Sequence, residues 1–289
     1  MPYLFLFKAK VKVMKTKQHP NLSAYDNVEK LTNFSESSFI KYCDEKLESC
    51  FKHSQFIQKN CVDQDKFWSG KICEIGSGNS KLLYRLEKDS LLTEGVGYEI
   101  SSSRYKFAEE FKSYANCQKV TNINKNIFDS PPLRNFDIVL AVDIVIQLIA
   151  PINKNLEKDI MNWVNQSLKP GGFFILELWD FEHILKQLEL FQNKLKIWEE
   201  LPISDPWEFI LSNISKDEKN DIIWEKLFLK RNSLDRSKFI NILRPYSRSQ
   251  ISIILKDNGF DSVKIYNKWL SNGDTDQGEY IVLAQKIYR

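Results

Sequence analysis

The sequence is poor in cysteine, and none of its cysteines is arranged as a pair. Five occur among the 289 residues, so their number is odd. They are Cys43, Cys50, Cys61, Cys73 and Cys117, and no two have the Cys-x-x-Cys spacing of zinc ligands or redox-active thiols. Neither a disulfide framework nor a zinc site is therefore expected, and a reducing, cytoplasmic compartment fits the chain best.

A long apolar run is also absent. Residues 1–7 are largely apolar, but Lys8, Lys10 and Lys12 follow at once. A secretory signal has its positive charge ahead of the apolar stretch. No segment approaches the roughly 18 apolar residues that suggest a membrane-spanning helix. We therefore expect no membrane association, and we interpret residues 1–19 as an N-terminal appendage, with Met14 as an alternative start.

The sequence has little excess charge of either sign. Its 41 lysines and arginines stand against 38 aspartates and glutamates, which gives a net charge of +3. The two signs are interleaved along most of the chain. A surface that follows a phosphate backbone would need a concentrated positive patch, so nucleic acid is not an expected partner.

Short apolar runs alternate with helical stretches between residues 71 and 179, which is typical of βαβ units. Apolar residues at helical spacing in residues 20–68 predict a helical segment over the site. Residues 181–243 are predicted to be a helical insertion that caps it. A helix at 249–258 and two further strands complete the pattern. We therefore predict one α/β domain at residues 69–289 with this cap inserted.

A glycine turn follows the first predicted strand, in the segment Glu74-Ile75-Gly76-Ser77-Gly78. Glycines allow a sharp turn and a close approach of a ligand to the main chain. A dinucleotide site would need Gly-x-Gly-x-x-Gly, but Lys81 occupies the third glycine position. The carboxylate of Glu74 would repel a pyrophosphate and would tolerate a cationic ligand without phosphate. S-adenosylmethionine, with its sulfonium and ammonium groups, fits this turn.

A second acidic residue follows the next predicted strand. Glu99 lies at the end of the segment Gly95-Val96-Gly97-Tyr98. A carboxylate there can accept hydrogen bonds from both ribose hydroxyls of a nucleoside-containing cofactor. The alternative is an ordinary solvated glutamate before a helix. Glu99 therefore supports a nucleoside without identifying it.

Several segments, in chain order, resemble motifs of the class I S-adenosylmethionine-dependent methyltransferases. Residues 71–78 resemble the acidic-hydrophobic-Gly-x-Gly motif, and residues 97–101 resemble the ribose-binding strand. The segment at 136–141 resembles the Phe-Asp-x-Val strand, and 168–173 resembles the Leu-Lys-Pro-Gly-Gly turn. Residues 246–260 resemble the helix and Gly-Phe turn before the last two strands. The resemblance implies a Rossmann-like, seven-stranded, mostly parallel sheet with an antiparallel last strand and helices on both faces.

The resemblance also implies S-adenosyl-L-methionine as the cofactor and assigns residues to it. These residues are Glu74, Gly76, Ser77, Gly78, Glu99, Ile100, Asn126 and Ile127. Asn126 occupies a position where the family commonly has an acidic residue that contacts the adenine amino group. An amide oxygen can accept the same hydrogen bond without a charge. Asp129 is the alternative for this role.

One departure from the motifs of related families narrows the range of possible methyl acceptors. Enzymes that methylate amino groups of bases or of protein glutamine often carry [Asn/Asp]-Pro-Pro-[Tyr/Phe] after the fourth strand. Here the position reads Val142-Asp143-Ile144-Val145-Ile146. Methylation of exocyclic amines in nucleic acid is therefore disfavoured. Because only Asp143 is well placed as a metal ligand, we predict no metal site.

Two residues are candidates for catalysis. Asp143, after the fourth strand, would orient the acceptor or take a proton, with a helix N-cap as the alternative. His183 follows the fifth strand and would serve as a base, with an ordinary surface residue as the alternative. Arg244, Tyr246 and Arg248 would contact an anionic acceptor, provided that they face the glycine turn.

These features predict methyl transfer to a small-molecule or glycan-precursor acceptor at oxygen or nitrogen. The acceptor is expected to be a sugar or a nucleotide sugar. A non-catalytic S-adenosylmethionine-binding protein is the main alternative. An NAD(P)-dependent oxidoreductase is disfavoured by Lys81 and Glu74.

Overall fold

The fold is taken from a computed structural model that describes residues 19–26, 29–61, 69–129, 131–270 and 278–287. The predicted appendage at residues 1–19 lies outside these ranges, apart from His19. The α-helices are α1 (Glu36–Ser49), α2 (Phe51–Cys61), α3 (Lys81–Lys88), α4 (Ser102–Ala115), α5 (Val145–Ile149), α6 (Leu156–Ser167), α7 (Glu182–Leu190) and α8 (Arg248–Asp257). No helix of the described ranges is long and apolar enough to cross a membrane.

The strands form two separate sheets. In chain order they are β1 (Gly70–Ile75), β2 (Leu92–Tyr98), β3 (Val120–Ile123), β4 (Phe136–Ala141), β5 (Leu168–Trp179), β6 (Leu195–Glu200), β7 (Trp207–Lys216), β8 (Ile222–Lys230), β9 (Arg236–Leu243), β10 (Phe260–Tyr266) and β11 (Glu279–Lys286). The larger sheet has seven strands in the order β10-β11-β5-β4-β1-β2-β3. Strand β11 runs antiparallel to both of its neighbours. The predicted seven-stranded sheet with an antiparallel last strand is confirmed.

The central strands are apolar on both faces because helices cover both sides of the large sheet. Ile72 of β1 packs with residues of α1, α2, α3 and α4. Its neighbour Cys73 points to the opposite face and packs with residues of α6 and α8. This alternation is the normal period of a strand. A sheet buried on both faces fixes the carboxyl ends of β1, β2 and β4 at one edge, where ligands of open α/β sheets bind.

The predicted helical cap at residues 181–243 is wrong, because only α7 is helical there. The rest forms a four-stranded antiparallel sheet in the order β6-β7-β8-β9, which we call the cap sheet. Every second residue of β8 from Ile222 to Phe228 faces the same side, and all of these except Lys226 are buried, which is a strand period. Short apolar runs of this length fit both periods, and the aromatic and β-branched residues favour the strand.

Two parts of the N-terminal segment pack against different parts of the protein. Helices α1 and α2 pack against α3, and the hydroxyl of Ser35 caps α1 by accepting the amide N–H of Ser38 at 3.3 Å. Residues 19–26 instead lie on the cap sheet. The buried side chain of Asn21 donates to the carbonyl oxygens of Leu148 and Ile242 at 2.6 and 2.7 Å. It also accepts the amide N–H of Ile242 at 2.8 Å.

We expect Asn21→Ala to loosen residues 19–26 from β9, because three hydrogen bonds of one buried side chain are lost. The expected loss of local stability is about 1–3 kcal/mol. Hydrogen exchange at the amide of Ile242 should become faster, while exchange at the amides of β4 should stay as in the wild type. An unchanged exchange rate at Ile242 would contradict the assigned contact.

Candidate functional site

The carboxyl ends of β1, β2 and β4 open into a cavity of about 420 Å³. The cap sheet and residues 19–26 supply its opposite wall, through Lys226, Asn21, Leu22 and Tyr25. All eight residues that the sequence assigned to the cofactor line this cavity, and Asp143 lines it as well. The structure therefore brings these nine residues to one place, although they come from four separate loops.

The glycine turn is packed too tightly for side chains. Gly76 has φ +66°, and a Cβ atom at this position would lie 2.6 Å from the Cγ2 atom of Val145. This backbone conformation and this distance both require glycine. Val145 is the first residue of α5. The turn after β1 and the helix after β4 are therefore in direct contact.

Glu74 carries a buried carboxylate on the cavity wall. Its side chain is only 3% exposed, and the Oε2 atom has no hydrogen-bond partner. Burial, together with the nearby charge of Asp143, raises the pKa of Glu74 to about 8. A buried carboxylate without a partner is costly unless a cation or donor reaches it. Without a ligand the raised pKa keeps the carboxyl of Glu74 largely protonated near neutral pH, and the ammonium group of a ligand would favour its ionised form.

Glu99 joins the two turns that frame the cavity. Its carboxylate accepts the amide N–H of Gly78 at 2.8 Å and that of Ser101 at 2.7 Å. Each carboxylate oxygen can accept more than one hydrogen bond, so acceptor capacity remains for two hydroxyl groups. The position of Glu99 directly after β2 suits contact with a ribose.

A short turn within the loop after β3 fixes the conformation of that loop. The side-chain oxygen of Asn126 accepts the amide N–H of Phe128 at 3.1 Å, and Ile127 is buried against the core. Asn126, Ile127 and Phe128 line the cavity, whereas Asp129 does not belong to its wall. Of the two residues considered for the adenine amino group, the structure therefore places Asn126 at the cavity.

Asp143 and Lys81 form an ion pair at the cavity wall. Their side-chain atoms lie 3.1 Å apart, and the amide N–H of Asp143 donates to Glu177 at 2.8 Å. The positive charge of Lys81 holds the pKa of Asp143 well below its usual range. Lys81 occupies the position where a dinucleotide fingerprint would have its third glycine.

Arg104 supports the glycine turn from α4. Its Nε atom donates to the carboxylate of Glu29 at 2.7 Å, and its guanidinium lies 5.1 Å from the ring centroid of Tyr25. Burial by itself would raise the pKa of Glu29, but Arg104 and Lys46 outweigh it and hold that pKa below its ordinary value. These contacts tie Glu29 and Tyr25 to the cofactor side of the cavity.

Helix α5 connects both sides of the cavity through the side chain of Gln147. Its amide group donates to the carbonyl oxygen of Trp179 at 3.0 Å and accepts the N–H of the same residue at 2.8 Å. The carbonyl oxygen of Gln147 accepts the amide N–H of Arg244, just after β9, at 2.9 Å. Leu148, the next residue, accepts from Asn21. One short helix therefore contacts the large sheet, the cap and the N-terminal segment.

The structure does not bring the second catalytic candidate to the cavity. His183 is exposed on α7 and contacts Gln187 one helical turn further on. The hypothesis of an anionic-acceptor site at Arg244, Tyr246 and Arg248 is also wrong. Arg244 forms an ion pair with Asp221, and none of the three lines the cavity. The carboxylates and aromatic rings of neighbouring elements engage these side chains instead.

The sequence did not indicate several of the residues that line the cavity, namely Asn21, Tyr25, Arg104, Trp179 and Lys226. Most of them carry no local signal, because their positions depend on contacts between distant segments. Lys226 is the exception. It interrupts the buried row of β8, and a charged residue at an inward position is a recognisable sign of function once the strand period is assigned.

Comparison with known proteins identifies the fold. No known family and no curated protein sequence matches the chain. Solved structures do match, and one is an S-adenosylmethionine-dependent methyltransferase from Clostridium acetobutylicum. It is 16% identical, with a TM-score of 0.66 over 82% of this chain and 91% of that one. The chain has the class I S-adenosylmethionine-dependent methyltransferase fold.

Two further solved structures have this methyltransferase fold. The CcbJ methyltransferase of Streptomyces caelestis is 14% identical, with a TM-score of 0.65 over 82% of this chain and 88% of that one. CalS10, an amino pentose methyltransferase from Micromonospora echinaspora, is 13% identical, with a TM-score of 0.58 over 84% and 90%. In the methyltransferase fold of the present chain, the described residues contain no group of three or more histidine, cysteine, aspartate or glutamate side chains that could hold a metal ion.

We expect Glu74→Gln to stabilise the protein without ligand, and more so at higher pH. Folding favours the neutral carboxyl, because burial raises the pKa of Glu74 from 4.5 to about 8. Its stabilising contribution is complete below pH 4.5 and is lost as the pH rises through about 8. The variant should gain on the order of 3 kcal/mol at the upper end of this window.

Thermal unfolding between pH 5 and 8 measures this difference, with Glu200→Gln on the exposed end of β6 as the control. The melting temperature of Glu74→Gln should exceed that of the wild type by an increasing margin as the pH rises. A margin that stays constant with pH would show that Glu74 is not buried as described.

Proposed function

We propose that this chain is a methyltransferase that binds S-adenosylmethionine and acts on a small-molecule or glycan-precursor acceptor, at oxygen or nitrogen. The observation that carries the proposal is the unpartnered carboxylate oxygen of Glu74, buried at the wall of the cavity. A cationic ligand without phosphate is suited to this position, whereas a pyrophosphate is not. A sugar is the favoured acceptor class, because CalS10, which has the same fold, is an amino pentose methyltransferase.

The residues present fit this cofactor at each of its parts. Glu74 would bind the ammonium group, Glu99 the ribose hydroxyls, and Asn126 the adenine amino group. Gly76, Ser77 and Gly78 would let the main chain approach the methionine portion, and Ile100 and Ile127 would contact the adenine ring. When bound, S-adenosylmethionine supplies a methyl group on a positively charged sulfur.

For transfer, the protein would mainly align the acceptor with this methyl group and exclude water. Correct orientation of two reactants can lower a barrier by about 7–11 kcal/mol in favourable cases. Asp143 would orient the acceptor by accepting a hydrogen bond from its hydroxyl or amine. Because Lys81 keeps this carboxylate ionised, Asp143 is a better hydrogen-bond acceptor than proton acceptor.

Binding and transfer experiments separate the proposed function from its alternatives. A thermal-shift series with S-adenosylhomocysteine, S-adenosylmethionine, NAD and NADP should show stabilisation by the first two. Stabilisation by NAD or NADP alone would favour an oxidoreductase. Transfer of labelled methyl groups to a panel of amino sugars, sugar nucleotides and small phenols then tests for an acceptor. Binding without transfer to any metabolite extract would favour a non-catalytic protein.

Glu99→Ala should weaken S-adenosylhomocysteine binding by about 10- to 100-fold, because the ribose hydroxyls lose a charged acceptor. Calorimetric titration gives the dissociation constant. Asn124→Ala is the matched control, since Asn124 donates to the backbone oxygens of Glu99 and Ile100 and leaves the carboxylate in place. Equal losses in both variants would indicate a general loosening of this turn and would contradict the ribose contact.

Asp143→Asn should reduce the rate of transfer to the acceptor found in the panel, by about tenfold. The wild-type pH–rate profile should show no inflection from Asp143 between about pH 5 and 9, because its pKa lies below this range. Lys81→Met should shift the acid limb of the profile to higher pH, because it removes the positive charge that lowers the pKa of Asp143. An Asp143-dependent inflection in the wild type would identify it as a base instead.

A further inference from the structure

One lysine lies in an otherwise apolar row of the cap sheet. Strand β8 turns Ile222, Trp224, Lys226 and Phe228 to the same side, and the three apolar members are buried. Lys226 is half-buried and lines the cavity. Lysine is rarely placed among buried apolar residues unless it is paired. Its position therefore requires an explanation.

Within the described part of the chain, the ammonium group of Lys226 has neither a hydrogen bond nor an ion pair. It lies 4.3 Å from the ring centroid of Trp224 and 5.8 Å from that of Phe239. Burial lowers its pKa to about 8, and the more distant charge of Glu199 only partly opposes this. The aromatic rings hold the cation in place without neutralising it. An anion reaching the cavity would supply the missing charge.

Hydrogen-bond donors without partners surround this lysine. Ser212 lies directly opposite Lys226 on β7, and Asn241 lies opposite Trp224 on β9. The hydroxyl of Ser212, the amide nitrogen of Asn241 and the indole nitrogen of Trp224 are all buried and unsatisfied. Directly opposed side chains lie about 4.5–5.5 Å apart at Cβ. Unpaired donors therefore lie beside Lys226, and Glu199 of β6, the acidic residue whose charge acts on this lysine, forms no ion pair with it within the described residues.

We propose that Lys226 binds a single anionic group of the methyl acceptor, a carboxylate or a phosphate monoester. This inference rests on the proposed function, because it assigns the acceptor to the cap side of the cavity. The residues suited to the cofactor lie at the end of β1 and on the loops after β1, β2 and β3. Lys226 would hold the distal end of the acceptor, and the loop that carries Asp143 would receive its reacting end.

The charges favour one anionic group over a diphosphate. A diphosphate is better matched by several cations or by the fork of an arginine. Two of the other cations that line the cavity are already paired, Arg104 with Glu29 and Lys81 with Asp143. Lys125 also lines it, but on the loop after β3, on the side suited to the cofactor. A single lysine between aromatic rings balances one negative charge. Trp179, which also lines the cavity, lies 4.7 Å from Trp224 between ring centroids and would cover the apolar part of the acceptor.

The test uses the full chain saturated with S-adenosylhomocysteine and three ring compounds of similar shape. Benzoate and phenyl phosphate carry an anion, and benzamide is the neutral control. Trace acetylation at pH 8, followed by mass spectrometry, reports the neutral fraction of Lys226. Either anion should slow acetylation of Lys226 by about fivefold or more, because a pKa raised by one unit or more lowers the neutral fraction at pH 8 by that factor. Benzamide should have little effect.

Variants complete the test. Lys226→Met should abolish calorimetric binding of the anion, Lys226→Arg should retain it, and Lys238→Met, an exposed lysine on β9, should bind like the wild type. Preference for benzoate or for phenyl phosphate identifies the anionic group. Equal protection by benzamide, or anion binding that survives in Lys226→Met, would overturn the proposal.

Binding of S-adenosylhomocysteine distinguishes a failure of the proposed function from a failure of the assignment of Lys226. Lys226→Met should bind it as tightly as the wild type does. A marked loss would show that Lys226 holds the carboxylate of the cofactor and would overturn the acceptor assignment. If the wild type does not bind S-adenosylhomocysteine, the proposed function fails. If it binds this ligand but neither anion, only the inference about Lys226 fails.

Discussion

The carboxylate of Glu99 holds together the two turns on which the site depends. It accepts one amide N–H from the turn after β1 and another from the turn before α4. Beyond the ends of neighbouring parallel strands, the regular hydrogen bonds of the sheet no longer hold the two loops together. A carboxylate that accepts hydrogen bonds from both loops fixes the distance between them. This side chain, together with the main-chain hydrogen bond from Ser77 to Tyr98, positions the glycine turn against the start of α4. Its buried negative charge is balanced in part by Arg104, which itself is bound to Glu29.

The two walls of the cavity differ in chemical character. The large sheet presents carboxylates at Glu74 and Glu99, and the ion pair of Asp143 with Lys81 lies beside them. On the other side, Lys226 of the cap sheet and the ring of Tyr25 line the cavity, and Trp224 lies beside the lysine. A cationic ligand is therefore favoured against the first wall and an anionic or oxygen-rich one against the second. This division matches a reaction in which a positively charged donor transfers a group to a separate acceptor.

The large sheet and its cofactor loops could be predicted because their signals are local. Glycines, an acidic residue at a strand end and short apolar runs each act within a few residues of the chain. The cap could not be assigned, because runs such as the one around Trp224 fit a helix or a strand until pairing with β7 and β9 decides. His183 was misplaced for a related reason, since the direction of a helix face depends on tertiary packing. Arg104 and Tyr25 were missed because contacts between distant segments create their positions.

Helix α5 has only five residues, yet it contacts four parts of the protein. Val145 contacts the glycine turn, and Gln147 contacts strand β5 and the end of β9. Leu148 contacts the N-terminal segment. Three of these contacts are hydrogen bonds that involve a main-chain group, and the fourth is the close approach of Val145 to Gly76. The large-sheet side and the cap side of the cavity consequently share one short helix. A substitution that shifts α5 would displace the glycine turn and the end of β9 together, whereas strands of the cap sheet that α5 does not contact can change their side chains without moving it.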